Sequence, residues 1–481
     1  MAMNRAERLV LWIAILASFV AFLDGTVVNV ALPAMQRELG GGLTTQQWIV
    51  DAYLVTLGAL ILVAGSLSDL FGRALILRVG LIGFGAASIA IAAAPDPLFL
   101  IIARAIQGIA GALLVPSSLA LITSTFRGPA QARAIGIWTA STTAALLVGP
   151  VLGGGFVDLL SWRYAFLINV LPIAVTLWLL AILHHPDVRN PDAKVDWAGA
   201  VLCTVGLGGI VFALIEQDRL GWSNPLIWGS AVIGGAALIG FLVRQATARF
   251  PLMPLSLFTV RNFWAGNVAT AFIYGALGIA GLVLGVFLQQ VSGWPATLAG
   301  LAFLPTTIIM VALSERFGTL AGRFGPRLFM TLGPLVMAAG TLLQLTVTAD
   351  VNYWLQVLPS MIVFGLGLAL TVAPLTSAVL GAIDPSRSGI ASAVNNAVAR
   401  IAGLLTVAML GVIAGGAITV IGLHRSIIVT AAMFAVGGVC SLLGIRNPPR
   451  TAAPAVGEGG GAQSGTDSPV IRSDSSDATP S

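Results

Sequence analysis

GSLSDLFGR, at residues 65–73, and GTLAGRFGPR, at residues 318–327, share their glycines and their phenylalanine at equal offsets. Each segment is a short break between two long apolar runs, so each is expected to close a tight turn between two helices. A pattern that returns once over such a distance is typical of a chain built from two related halves. The sequence therefore predicts an internally repeated helical protein.

The apolar runs predict that these helices lie in lipid. Hydrophobic residues make up 57% of the chain and charged residues only 9%, whereas soluble proteins carry roughly a quarter charged residues. A transmembrane helix needs about 20 mainly apolar residues. The chain has fourteen such runs, at residues 10–35, 48–67, 75–94, 98–122, 134–157, 164–183, 197–215, 226–243, 263–289, 297–313, 328–348, 354–380, 389–414 and 427–443.

The basic residues predict how these spans are oriented. If the N-terminus lies inside, the external breaks contain only Arg37, Arg163, Arg219 and Arg425. The cytoplasmic breaks then contain Arg5, Arg8, Arg73, Arg78, Arg127, Arg133, Arg189, Lys194, Arg244, Arg249, Arg261, Arg316, Arg323, Arg327, Arg387, Arg446 and Arg450. This asymmetry follows the positive-inside rule and predicts a multi-pass protein of the bacterial inner membrane with both termini in the cytoplasm.

Several other functions are disfavoured by the sequence. The net charge of +5 follows the breaks between spans and forms no basic stripe, so no nucleic-acid partner is expected. Cys203 and Cys440 lie in apolar runs and predict neither a disulfide nor a metal site. No nucleotide-binding motif or nucleophile–base set is recognisable, so we expect no enzyme activity and no cofactor. The Gly- and Ser-rich residues 447–481 predict a disordered tail.

Three further motifs lie in the first half. They are LDGTVVNVALP at residues 23–33, RAIQGIAG at residues 104–111, and GPVLGG at residues 149–154, the last followed by Trp162, Arg163 and Asn169. With residues 65–73, they stand in order in the first, second-to-third, fourth and fifth spans. On these motifs the chain resembles the major facilitator superfamily, specifically its fourteen-spanner drug:proton antiporter branch, over residues 8–446.

The resemblance implies two six-helix bundles, at residues 1–190 and 251–446, with two inserted transmembrane helices at residues 191–250. It also implies a proton-coupled antiporter that exports lipophilic drugs or small metabolites by alternating access. The expected partners are a small lipophilic substrate, with cations among the candidates, protons, and the lipid bilayer. Two departures are mild: Ala74 replaces a second basic residue of the loop motif, and Ala145 replaces the first glycine of the fifth-span motif.

Four charged residues are plainly intramembrane in the predicted spans: Asp24, Asp51, Arg104 and Arg400. Each costs at least about 2.5 kcal/mol in the middle of a bilayer, so each is expected to have a partner or a function. By helical rise, Asp24, Asp51 and Arg104 are expected to form one polar cluster in the outer half of the first bundle. We expect Asp24 to carry the proton, with Asp51 as the alternative. A permanent Asp24–Arg104 pair and a hydrated Asp51 would explain the same residues without transport.

The motif glycines have both functional and purely structural interpretations. For Gly65, Asp69, Gly72 and Arg73 the resemblance implies a charge latch between the bundles, and a solvated loop is the alternative. For the fifth-span residues the resemblance implies an antiporter helix, and a kinked packing helix explains them equally well. The fifth-span residues are Gly149, Pro150, Gly153 and Gly154.

A substrate cavity is expected to be lined by aromatic and polar side chains of the spans. The candidates are Phe22, Asn29, Gln107, Trp138, Tyr274, Phe303, Phe364, Asn395, Asn396 and Arg400. Arg104, Gln107, Gly108 and Gly111 share one helix face, which indicates close helix approach beside that cavity. The C-terminal half offers no carboxylate near Arg400, so this residue either pairs across the bundles or contacts an acceptor on the substrate.

Two other functions remain as alternatives. An importer or facilitator of a polar solute is expected to need more cavity carboxylates, amides or tryptophans than the spans contain. A non-transporting membrane scaffold or sensor would need neither Asp24 nor Arg104. The central part of spans nine to thirteen also lacks the acidic residue that some exporters of dications carry, which puts that specificity in doubt.

Overall fold

The computed structural model describes residues 3–183, 194–384 and 387–447. Within these ranges the chain forms α-helices, short 3-10 turns and one π turn, and no strand. The helices are α1 (Arg5–Leu39), α2 (Leu43–Phe71), α3 (Arg73–Ala92), α4 (Pro97–Thr125), α5 (Gly128–Leu159), α6 (Tyr164–Leu167), α7 (Val170–Ile182), α8 (Trp197–Leu220), α9 (Pro225–Thr247), α10 (Arg261–Gln290), α11 (Ala296–Leu301), α12 (Leu304–Phe324), α13 (Pro326–Leu343), α14 (Leu358–Leu380), α15 (Ser388–Ala408), α16 (Leu410–Ala414) and α17 (Val420–Gly444).

The described helices confirm the prediction of an all-α membrane protein. Thirteen of their segments are long and apolar enough to cross a membrane, with α6 joined to α7 and α11 joined to α12. The helix α5, with 32 residues, stands at the place of the remaining predicted span. Its described apolar part is Val148–Leu159. The domain boundary predicted at residues 190 and 191, and the predicted tail apart from Asn447, lie outside the described residues.

The repeated segments form equivalent turns in the two halves. Gly72 ends α2 and begins α3 with φ 103°, and Gly325 separates α12 from α13 with φ 90°. Residues other than glycine rarely adopt this backbone conformation. The repeat seen in the sequence is therefore present in the backbone.

The helix ends lie on two opposite faces of the protein. We call them the arginine-poor face and the arginine-rich face, according to the number of arginines at each. The arginine-poor face contains the ends of α1, α3, α5, α8 and α10. Trp162 and Arg163 join three of these ends, because both side chains contact Glu38 and Arg163 Nη2 donates to Ala94 O at 3.1 Å. The arginine-rich face contains the turns at Gly72 and Gly325.

Helices α8 and α9 form a pair that contacts both halves through α8. This helix packs against α2 of the first half and α15 of the second. Trp48 of α2 donates from Nε1 to Glu216 Oε1 at 2.8 Å. At the other end, Asp196 accepts from the Gly199 amide at 3.0 Å and from Arg244 Nε at 3.0 Å. Each end of α8 is thereby fixed by a carboxylate.

Two predicted boundaries are wrong. The span predicted at residues 297–313 continues as a helix to Phe324, so Glu315 and Arg316 lie inside a helix and not in a loop. The span predicted at residues 389–414 is divided at Met409 into α15 and α16. The first error arises because a helix can extend through charged residues near a membrane surface, and the second because hydropathy does not mark a break within an apolar run.

Candidate transport site between the two halves

Asp24 and Arg104 form a buried ion pair within the first half. Arg104 Nη1 donates to Asp24 Oδ2 at 2.7 Å, and the two side chains are 2% and 1% exposed. The other oxygen, Asp24 Oδ1, accepts from Gln107 Nε2 at 2.9 Å and from Asn169 Nδ2 at 3.1 Å. Both oxygens of the carboxylate are therefore satisfied, by residues of α4 and by Asn169 at the start of α7.

The guanidinium of Arg104 has further partners. Its Nε donates to the Ile49 carbonyl at 3.0 Å, and its Nη1 also donates to Gln107 Oε1 at 2.5 Å. The Tyr53 ring lies beneath it, with 4.3 Å between the guanidinium carbon and the ring centroid. Such a network can offset the cost of burying two ions, and removing one member leaves the other uncompensated.

Asp51 does not belong to this network, so the predicted three-residue cluster is wrong. Its side chain is fully buried, and both carboxylate oxygens lack a hydrogen-bond partner among the described residues. Gln47, one turn away, donates to the Val407 and Ala408 carbonyls of α15. Residues four apart share a helix face, so Asp51 lies where α2 of the first half meets α15 of the second.

Two helices present half-exposed stripes at matching positions in the two halves. On α1 the stripe contains Phe22, the exposed Gly25, and Asn29, although helices pack around the rest of α1. On α10 it contains Tyr274 and Gly281. A methyl group added at Gly25 or Gly281 would meet no atom within 4 Å. Because α1 and α10 contact each other, both stripes belong to helices at the junction of the two halves.

Arg400 of α15 is a half-buried cation at the same junction. It makes no hydrogen bond or ion pair with any residue in the described ranges. A methyl group added at Gly58 of α2 would lie 3.7 Å from Arg400 Cβ, which places the residue against the first half.

Other predicted cavity residues lie inside the halves. Phe364 is 8% exposed and packs edge-on against Phe434 with 5.7 Å between ring centroids, so its assignment to the cavity is wrong. Gln107 is fully buried in the Asp24 network. Asn395 donates to Asn267 Oδ1 and Thr270 Oγ1 and so joins α15 to α10. Helical periodicity gives the face of a residue but not the neighbour that covers it.

Three predicted cavity residues are partly accessible. Trp138 is half-buried and donates from Nε1 to Ser18 Oγ at 3.0 Å. Asn396 is exposed and donates only to Ser392 O, one turn back on its own helix. Phe303 is half-buried and packs beside Gly285 of α10. Asn396 lies one turn from Arg400, so the two residues share a face of α15.

The glycine motif of α5 packs against α1 of the first half and α11 of the second half. Gly149 and Gly153 lie against Thr26 and Val27 of α1. Gly154 lies against the backbone of Thr297, and Pro150 lies against Gly300, in α11 of the second half. Small residues at such contacts allow close backbone approach.

One turn beyond the glycine motif, Asp158 links α5 to the second half. Its two carboxylate oxygens accept from the backbone amides of Ala296 at 2.9 Å and Thr297 at 2.7 Å. With Gln289 Nε2, which donates to Val30 O at 3.1 Å, and Gln290 Nε2, which donates to Gln36 Oε1 at 2.6 Å, these contacts join the halves at the arginine-poor face. The sequence analysis missed Asp158, because the helix start that it caps lies 138 residues further along the chain, whereas a cap signal in a sequence is local.

The loop residues of the first repeat form a weak pair within one turn. Arg73 Nη2 lies 3.7 Å from Asp69 Oδ1, and the two side chains are 24% and 53% exposed. Arg73 Nε is buried without a hydrogen-bond partner in the part of the chain that the structure describes. Gly65 has no atom within 4 Å of an added methyl group. The pair seen here is therefore local and does not itself join the halves.

The protein has two related helical halves, and Asp51 and Arg400 lie without partners among the described residues where the halves meet. This arrangement is typical of one class of protein, the multi-pass membrane transporter. The chain belongs to the Major Facilitator Superfamily, whose sequence model matches residues 14–407. The matched residues include the four charged residues inside the spans, Asp24, Asp51, Arg104 and Arg400.

Named relatives of the chain are bacterial resistance and export proteins. The puromycin resistance protein pur8 of Streptomyces alboniger is 34% identical over 408 residues, which cover 83% of this chain and 80% of the relative. The methylenomycin A resistance protein of Bacillus subtilis is 35% identical, with 84% and 87% covered. The tetracenomycin C resistance and export protein of Streptomyces glaucescens is 32% identical, with 81% and 73% covered.

Solved structures share the fold at low sequence identity. A D-xylose–proton symporter superposes with a TM-score of 0.67 at 15% identity, covering 92% of this chain and 98% of the symporter. A transporter of the POT family, in complex with a thioalcohol-conjugated peptide, superposes with a TM-score of 0.68 at 14% identity, covering 90% and 95%. At such identities the likeness shows the fold alone.

Proposed function

We propose that the protein is a proton-coupled antiporter that exports lipophilic drugs or small metabolites from the bacterial cytoplasm by alternating access. The names of its relatives support export of drug-like molecules. The half-exposed stripes of α1 and α10, together with the contacts that join the halves at one face, support alternating access. Both termini lie in the cytoplasm in this proposal, because the arginine-rich face is then inside.

In this proposal residues 1–190 and 251–446 are the two bundles that move against each other. Residues 191–250 form the inserted pair, and residues 447–481 form a cytoplasmic tail. The seal made by α5 and α11 at the arginine-poor face opens when the halves tilt. The Asp69–Arg73 pair then acts at the opposite face, where the turn at Gly72 joins α2 to α3.

The proton-coupling part rests on one observation, the burial of Asp51 without a partner. A carboxylate that is fully buried without a hydrogen bond has a high free energy in its ionised form. Binding of a proton therefore lowers its free energy strongly. Its place on α2 against α15 would link that proton to the relative position of the halves. Asp24 is the second candidate, because its proton uptake must be accompanied by separation from Arg104, Gln107 and Asn169.

The first test is efflux of a neutral lipophilic dye, Nile red, from energised cells that produce the wild type, Asp51→Asn or Asp24→Asn. The expected result is efflux in the wild type that a protonophore abolishes, and no coupled efflux in Asp51→Asn. Asp350→Asn, at an exposed loop carboxylate, is the matched control and should behave as the wild type. Membrane levels of all variants are compared by immunoblot.

The outcomes separate the alternatives. Efflux that a protonophore does not affect contradicts proton coupling. Protonophore-sensitive efflux that survives Asp51→Asn but not Asp24→Asn moves the proton site to Asp24. Uptake instead of efflux favours the importer or facilitator. No movement of any tested solute, by protein that is folded and in the membrane, favours the scaffold or sensor.

A further inference from the structure

Arg400 is a half-buried positive charge without a counter-ion among the described residues. It lies in the middle part of α15 (Ser388–Ala408), and no carboxylate among the described residues is within ion-pair distance. Arg104, the other arginine deep in a span, is held by four separate partners. A positive charge at this depth is costly unless an acceptor neutralises it. Arg400 therefore lacks an acceptor that its position requires.

The nearby acidic residues do not supply that acceptor. Asp24 is saturated by Arg104, Gln107 and Asn169. Both oxygens of Asp51 are unbonded, so Asp51 makes no hydrogen bond to Arg400. On α8, Glu216 binds Trp48 and Arg219 at the arginine-poor face. Net charge at the α2–α15 junction is therefore positive whenever Asp51 carries a proton.

The surroundings of Arg400 suit an acceptor group of a ligand. Tyr274 of α10 is half-buried, and its backbone carbonyl would lie 3.7 Å from a methyl group added at Gly403, about one turn from Arg400 on α15, whereas Tyr53 of α2 is buried against Arg104. Neither tyrosine hydroxyl has a hydrogen-bond partner within the described ranges. Gly58, which faces Arg400 from α2, contributes no side chain to the space. The unpaired guanidinium of Arg400 thus lies on α15 about one turn from the contact with the half-exposed Tyr274 of α10.

We propose that Arg400 binds a negatively charged group, a carboxylate or a deprotonated phenol or enol, on an otherwise apolar substrate. This inference rests on the proposed transport function and specifies its substrate class. It replaces the expectation from the sequence that cations are among the substrates. A planar guanidinium pairs with such a group through two parallel hydrogen bonds, and a low dielectric strengthens the pairing.

An anionic substrate has a consequence for the driving force. Export of an anion moves negative charge outward, which the inside-negative membrane potential favours. Proton entry is favoured by the same potential. Exchange of a proton for an anion is therefore expected to depend on the membrane potential more strongly than exchange for a neutral molecule.

Binding is tested with two dyes that share a xanthene ring system but differ in charge, anionic fluorescein and cationic rhodamine 123. Purified protein in nanodiscs is titrated with each dye, and fluorescence anisotropy gives the affinity. The expected result is tighter wild-type binding of fluorescein, weakened roughly tenfold or more by Arg400→Gln, with rhodamine 123 binding unchanged or improved. Arg400→Lys, which keeps the charge but not the planar fork, is expected to weaken fluorescein binding less.

Arg425→Gln is the matched control, because it makes the same change at an arginine that is exposed on α17 and that lies outside the proposed site. It should leave both affinities unchanged. A ratio of fluorescein to rhodamine 123 affinity that Arg400→Gln does not alter overturns the proposal, as does tighter wild-type binding of rhodamine 123. Since the assay measures binding without transport, its outcome is independent of the Nile red experiment. If Arg400→Gln does not fold, the ratio of fluorescein to rhodamine 123 affinity in Arg400→Lys takes its place: an unaltered ratio overturns the proposal, and a lowered ratio supports it.

Discussion

Two sets of charged residues lie inside the membrane-spanning helices, and their surroundings differ completely. Asp24 and Arg104 lie within the first half and have partners for both oxygens and for the guanidinium. Asp51 and Arg400 lie where α2 meets α15, and neither has a partner in the described chain. The comparison separates charges that hold helices together from charges that remain available to a proton or a substrate.

The largest expected effect is a difference in stability between two chemically identical substitutions. Asp24→Asn leaves Arg104 buried without its counter-ion and should lower the free energy of unfolding by about 3–5 kcal/mol. Asp51→Asn replaces an unpartnered carboxylate by a neutral amide and should leave that free energy unchanged or raise it. Unfolding of the purified protein in mixed micelles, followed by circular dichroism during titration with sodium dodecyl sulfate, measures both.

A double substitution tests the origin of the Asp24 effect. Asp24→Asn combined with Arg104→Gln removes both ions and should recover part of the lost stability, because no unpaired charge remains. Equal stability loss at Asp24 and Asp51 would remove the distinction between the two sets of charges.

An intermediate effect is expected at the seal between α5 and α11. Asp158→Ala removes two charge-assisted hydrogen bonds between the halves and should favour opening at the arginine-poor face by about 1 kcal/mol, roughly a fivefold change in population. The measurement is the labelling rate of a cysteine at Val30, on the α1 surface that Gln289 covers. A membrane-impermeant maleimide is used in a background with Cys203→Ala and Cys440→Ala.

Asp96→Ala is the matched control for Asp158→Ala. Asp96 also caps a helix, with its Oδ1 accepting from the Phe99 amide at 2.9 Å, but both residues belong to the first half. It should lower stability slightly without changing the labelling rate at Val30. Equal acceleration by both substitutions would mean that Asp158 supports its helix rather than the seal.

The smallest effect is expected at the loop of the first repeat. Asp69→Asn removes an exposed pair at 3.7 Å, so the free energy of unfolding should change by less than about 0.5 kcal/mol. If the loop acts as a latch in transport, Nile red efflux should nevertheless slow. Thermal unfolding and efflux are compared on the same variant, with Asp350→Asn as the control. A stability loss above about 1 kcal/mol would show a structural function that the contacts do not indicate.

The sequence predicts the fold well because hydropathy and turn glycines are local signals. Gly72 and Gly325 mark equivalent turns because few other residues adopt their backbone conformation. The Asp24–Arg104 pair follows from similar depth and opposite charge. Asp51 has a similar depth but faces α15 instead of Arg104, and depth along a helix contains no information on the neighbouring helix. Phe364 was misassigned for the same reason, because packing against Phe434 cannot be read from one sequence.

The Asp24–Arg104 pair also constrains the order in which the protein is made. The two residues are 80 positions apart in the chain, and a bacterial ribosome adds about 5–20 residues per second. Asp24 therefore reaches the membrane about 4–16 s before Arg104 reaches it. During this interval the first helix carries an uncompensated carboxylate and is expected to stay beside the insertion machinery or near the lipid headgroups. Nascent chains that stop before the fourth helix should consequently be extracted from the membrane more easily than chains that include it.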